Sequence, residues 1–263
     1  MKIYLRILTN RFKTLTAYKF DFLTQFLFSF LFLFLQVCIW QALYGGDYAK
    51  NIGGVGLSSM MAYVMLAGIC GNFTRSSTME TLYLSILNGE ISNYLLWPMG
   101  FIRHQFALSL VNSFVNIVYA LPVFIVGVLL FQIKLDVTVI QVIMFIITLL
   151  LGLLISFLFG FFMGITTIWL KNSFFLNNFT GILTNLFAGG MVPFWFFPAW
   201  LNTLSYALPF RFIFFEPMSL FLGSGSTGFL YIIIVQTVWI AVFYFLSSII
   251  WRKGQQKLLI YGG

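Results

Sequence analysis

The chain has 263 residues, of which 61% are apolar and only 8% charged, with a net charge of +8. Soluble domains carry about a quarter charged residues, and even a 300-residue one buries only about 75% of the surface that its unfolded chain exposes. A water-soluble globule is therefore excluded, and lipid must be the solvent for most of this surface; the positive charge calls for no nucleic acid, because a basic inner face beside anionic lipid accounts for it.

Residues 2–20 carry Tyr4, Leu8, Phe12, Leu15 and Tyr18 on one helical face and Lys2, Arg6, Asn10 and Lys13 on the other. This pattern predicts an amphipathic helix over 1–21 lying in the membrane interface. No cleavable leader is expected, since charged sequence runs to Asp21 before the first long apolar stretch. Uncharged runs then cover 22–46, 51–74, 104–133, 137–170, 172–210 and 217–251. Strands of a membrane barrel would alternate apolar and polar residues over ~10-residue segments. Runs such as FLFSFLFLFLQVCIW do not alternate, and a helix satisfies its own backbone in lipid.

Six crossings are predicted, over 22–44, 56–74, 105–131, 139–168, 175–193 and 229–251, in one domain spanning 1–263. With the N-terminus inside, 11 basic residues face the cytoplasm and three (Lys50, Lys134, Arg211) face outward. The positive-inside rule favours that orientation, which places both termini in the cytoplasm.

The long inner connection, 75–104, contains ETLYLSILNGEISNYLLWP from Glu80 to Pro98. Glu80–Leu87 reads as a short helix, Asn88-Gly89 as its stop, and Ile91, Leu95 and Leu96 as the start of a second piece that Pro98 interrupts. Two short helices carrying Glu80 and Glu90 would make a stiff elbow; a solvated loop is the alternative. Farther on, Pro193, Pro198, Pro209 and Pro217 cut the apolar segment 189–223 into pieces too short to span. Broken backbone is tolerated at membrane depth only where protein or a cavity shields it. Short helices dipping into the outer leaflet over 194–228 are therefore expected, with Trp195, Trp200 and Tyr206 suited to the interface. Arg211 and Glu216 are placed to pair, as a structural pair or as one that meets substrate.

Catalytic signals are sparse. The carboxylates Asp21, Asp47, Glu80, Glu90, Asp136 and Glu216 fall at predicted helix ends or in loops. His104 reads as an interfacial residue, and Cys38 and Cys70 read as structural thiols within spans. No metal-ligand cluster is apparent, and no G-x-x-x-x-G-K-[ST] motif is present to cradle ATP.

Three features together resemble the permease subunits of ABC-2-type transporters. They are the basic amphipathic start, N-G-E-I-x-x-Y-L-L-x-P-M over Asn88–Met99, and G-G-M-V-P…F-P-x-W-L…L-P-F-x-x-I…E-P…L-G before the last span. The likeness covers essentially the whole chain and is nearest to the branch with G-x-[apolar]-x-x-x-L-L-x-P in the first inner loop. It implies a non-enzymatic exporter subunit in a bacterial cell membrane, moving a lipid, peptide or drug-like amphiphile. It implies cytoplasmic ATPase partners that hold ATP and Mg²⁺, a second permease (identical or related) and no cofactor in this chain. It also implies roles for residues. Glu80, Asn88, Gly89, Glu90 and Ile91 would couple to the ATPase, with Lys171-Asn172 as a smaller contact. Pro193, Trp195, Pro198, Pro209, Arg211 and Glu216 would line the substrate path or external gate. An ion- or proton-coupled secondary transporter or channel is the alternative, disfavoured because no charge sits at mid-span. An intramembrane lipid-modifying enzyme lacks a catalytic cluster.

Overall fold

The computed structural model describes residues 19–47, 50–91, 100–133, 137–170, 173–223 and 227–261. Most of the interfacial helix over 1–21, the second half of the elbow (Leu95, Leu96, Pro98) and Lys171-Asn172 lie outside the described residues.

Helix α1 (Lys19–Tyr44) is apolar all round, as expected of a helix in lipid. Leu33, Val37, Trp40 and Tyr44 are buried at spacings of four, three and four, while Leu27, Phe28, Leu31 and Phe32 stay exposed. A small antiparallel hairpin follows, β1 (Asn51–Ile52) and β2 (Val55–Gly56), turning on Gly53-Gly54; Tyr44 donates to the Val55 carbonyl at 2.8 Å. The connection between α1 and the next helix is thus a hairpin pinned to α1.

Helix α2 (Leu57–Thr74) is largely buried, from Leu57 and Met60 to Phe73 and Thr74. It breaks at Arg75–Ser77 and resumes as α3 (Thr78–Leu87). The break is held from outside: Asn116 donates to the Asn72 carbonyl at 3.1 Å and Ser156 donates to the Thr74 carbonyl at 2.7 Å. Helix α4 (Phe101–Phe131) contains Pro122 and ends on Gln132 in the left-handed region (φ 49°).

Helix α5 (Val139–Leu170) is the hub. It packs against α3, α8 (Arg211–Phe221) and α9 (Phe229–Tyr261), and small residues let these backbones approach. A Cβ on Gly152 would lie 2.0 Å from the Ile213 carbonyl oxygen of α8, and one on Gly164 would lie 2.8 Å from Leu82 Cδ1 of α3. Pro217 within α8 has no N–H to give that Ile213 carbonyl, so the carbonyl turns toward the helix that carries Gly152. Gln236 of α9 completes the joint, donating to the Thr148 and Phe212 carbonyls at 2.8 Å each.

Five stretches are long and apolar enough to cross a bilayer among the described residues: Leu23–Tyr44, Leu57–Leu87, Phe101–Phe131, Val139–Leu170 and Phe229–Gln256. The region expected to cross over 175–193 carries helix α6 (Ser173–Phe187), 15 residues long and so about 22 Å at 1.5 Å per residue, and it is not among those five. It closes at Gly189 (φ 82°), with Gly190 N–H bonded to the Asn185 carbonyl and Gly189 N–H to that of Leu186, a Schellman ending. A 3₁₀ turn (Phe194–Phe196), α7 (Ala199–Tyr206) and α8 follow. The last helix runs ten residues past its expected end at 251, so Arg252 and Lys253 extend α9 and do not begin a tail.

Candidate functional site

A cavity of about 1150 Å³ lies among α1, α2, α4, α5, α6 and α8. Helix α6 forms its loosest wall. Phe175, Phe179 and Ile182 of α6 are exposed, and so are Asn177, Asn178 and Asn185. The opposite walls are tighter, built from α2 and from the Gly160 stretch of α5.

Above α2, residues 189–216 form a cap of aromatic rings. Trp195 packs edge-on against Tyr63 at 5.1 Å and against Phe215 at 5.7 Å, and Phe194 lies 4.8 Å from Phe215. Tyr63 donates to the Gly189 carbonyl at 2.7 Å, tying α2 to the end of α6. Within this cap Arg211 Nε donates to Glu216 Oε1 at 2.5 Å, with the side chains only 6% and 1% exposed. The guanidinium also donates to Asn202 Oδ1 (2.6 Å) and Ser205 Oγ (2.8 Å) and lies 3.7 Å from the Tyr206 ring centroid. Thr227 donates to the other Glu216 oxygen at 2.8 Å. Burying two charges this fully is costly unless every lone pair and proton is matched. Here one network joins α7, α8 and the segment leading into α9.

On the other side of the cavity α3 lies lengthwise against α5 and α6, with Met79 and Leu82 buried. Its free surface carries Glu80 in the first turn. Asn88, Gly89 (φ 72°) and Glu90 are exposed at its far end, while Ile91 is buried. Glu80 and Glu90 therefore sit at opposite ends of a ten-residue rod braced along α5.

Of the residues singled out in the sequence, Arg211 and Glu216 are brought into direct contact, buried inside the protein. Pro193 and Pro209 are buried beside them, Trp195 is half-buried, and Pro198 is exposed at the start of α7. His104 lies in the first turn of α4, which begins at Phe101, four residues before the expected start at 105, and its side chain is buried against the protein. Sequence reasoning missed Tyr63, Asn116, Ser156, Gly152, Gln236 and Arg75 as structural or cavity residues. The one available signal was a polar side chain inside an apolar run, as at Gln236 and Ser156. Among the described residues no group of three His, Cys, Asp or Glu side chains could hold a metal ion.

The long apolar helices and the cavity between them define a multi-pass membrane protein. The family model described as ABC-2 family transporter protein matches residues 29–262, and the chain belongs to that family. No curated protein matches the chain.

Proposed function

We propose that this chain is the transmembrane permease subunit of an ATP-driven exporter, working by alternating access on an amphipathic or hydrophobic substrate. Two permeases, identical or related, would pair with two cytoplasmic ATPases that hold ATP and Mg²⁺ in a bacterial cell membrane. In this reading α6 makes the sixth crossing together with the residues around it, both termini are cytoplasmic, and 194–228 is a re-entrant external gate. Glu80, Asn88, Gly89 and Glu90 would meet the ATPase, with Ile91 as their buried footing and Lys171-Asn172 as a second contact.

One observation carries the reading: α5 contacts both the α3 rod and the α8 cap across the length of the cavity. Gly164 seats Leu82 and Gly152 seats Ile213, twelve residues apart in number and so about 18 Å apart along the helix. A push on α3 then reaches the cap through one stiff, closely packed helix. Packed helices of this kind shift between discrete arrangements and do not deform continuously.

The test is transport by the chain reconstituted with its ATPase, comparing wild type with Glu80→Ala/Glu90→Ala. The expected outcome is loss of ATPase docking and transport with normal membrane insertion. Docking and transport that survive both changes would remove the coupling role from α3, and transport that follows an ion gradient without ATP would remove the exporter reading.

A further inference from the structure

The cavity differs in chemistry from end to end. Two contacts fix its register: Thr180 Oγ1 lies 3.9 Å from Met79 Sδ, and Tyr63 donates to the Gly189 carbonyl at 2.7 Å. Helix α6 therefore runs antiparallel to α2 across the cavity. Arg75, Asn177 and Asn178 share one end, and Trp40, Tyr63 and Met191 line the other. Arg75 directly follows α2, is exposed, and is the sole charged side chain lining the cavity among the described residues. The salt bridge found among those residues is Arg211–Glu216, so no described carboxylate neutralises Arg75. A guanidinium is a planar fork that matches phosphate and carboxylate oxygens. The exposed amides of Asn177 and Asn178 add donors at the same end, and nothing in the described lining would favour a cation there.

We infer that the substrate is an amphiphile with an anionic phosphate or carboxylate head, seated at Arg75, Asn177 and Asn178. Its apolar tail lies along the α1 wall toward Trp40 and Tyr63. The volume of about 1150 Å³ exceeds the roughly 300–1,000 Å³ of ordinary small-molecule sites, as a lipid-sized tail requires. This assignment deepens the permease reading and rests on it for transport, but binding itself needs neither ATP nor a partner subunit.

The experiment is equilibrium binding to the full chain in a neutral sugar detergent, with lysophosphatidic acid bearing a fluorescent acyl chain as the probe. Monoacylglycerol of the same chain, a long-chain trimethylammonium salt and inorganic phosphate serve as competitors. The expected result is that Arg75→Gln weakens lysophosphatidic acid by at least about tenfold, the scale of one charge-assisted contact. Arg75→Lys should retain most of the affinity. Monoacylglycerol should compete weakly, and equally on wild type and Arg75→Gln, which also reports that the variant keeps its fold. Equal competition by monoacylglycerol or the trimethylammonium salt, or no effect of Arg75→Gln, overturns the anionic head. Displacement by inorganic phosphate as effective as by unlabelled lysophosphatidic acid overturns the tail and leaves a bare anion site. ATP-driven transport that persists when all binding fails removes the substrate class and leaves the permease reading intact. Binding as expected by a chain whose transport in membranes is indifferent to ATP does the reverse.

Discussion

Arg211 has three kinds of support: the Glu216 carboxylate, the oxygens of Asn202 and Ser205, and the face of Tyr206. Removing one partner of a buried pair strands the other charge and costs about 3–5 kcal/mol, whereas replacing both by apolar groups is often tolerated. Glu216→Gln should therefore lower the melting temperature in detergent sharply, and Arg211→Met/Glu216→Leu should recover part of the loss. A Glu216→Gln protein that melts like wild type would contradict the buried network. Gly152→Ala should be at least as damaging, because its Cβ would meet the Ile213 carbonyl at 2.0 Å and the obstacle is backbone. The measurement is the yield of folded, monodisperse protein, with Gly181→Ala as the harmless comparison, since a Cβ there meets nothing within 4 Å. At this scale the Arg211–Glu216 pairing was legible, because two charges between Pro209 and Pro217 in an apolar segment have few other partners. Gln236 was visible as a polar residue but its role was not. Its acceptors, the Thr148 and Phe212 carbonyls, are 88 and 24 positions away.

Among the elements, the break between α2 and α3 has the clearest mechanical consequence. It ends the cavity wall and begins the rod that carries Glu80, and side chains of α4 and α5 hold its freed carbonyls. Ser156→Ala leaves the buried Thr74 carbonyl without its donor, at a cost of about 1–3 kcal/mol. Hydrogen exchange should then quicken for the amides of residues 76–80, while those in the middle of α5 keep their protection. Unchanged exchange at the break would mean that Ser156 does not hold it. Uncharged length and apolar content made α1, α4, α5 and α9 legible. The stop at Asn88-Gly89 was legible from its residues, and Gly89 adopts the left-handed geometry expected (φ 72°). The α2–α3 break was legible too, as the end of the crossing at 74 where Arg75 opens the inner connection, but its support by Asn116 and Ser156 was not. The shortness of α6 was hidden as well: the uncharged run continues to residue 210, and the Schellman turn at Gly189 ends the helix before Pro193.

For the whole molecule, the composition required lipid as solvent, and five helices meet that requirement among the described residues. Their exposed apolar faces, such as Leu27, Phe28, Leu31 and Phe32 on α1 and Ile140, Ile143 and Ile147 on α5, are what a bilayer or a second subunit would cover. The cavity could not be read from the sequence, because its wall combines residues from Phe28 to Phe214 that only packing brings together. The sequence holds no G-x-x-x-x-G-K-[ST] motif, so the proposed export would be driven by a partner that has one. The most direct test is to purify the chain from its native membrane in mild detergent, identify the proteins that accompany it, and assay the reconstituted assembly for transport with and without ATP. A stoichiometric P-loop ATPase and transport that stops when ATP is withheld are the predicted result. A chain that purifies without an ATPase, with transport driven by an ion gradient, would contradict the exporter account.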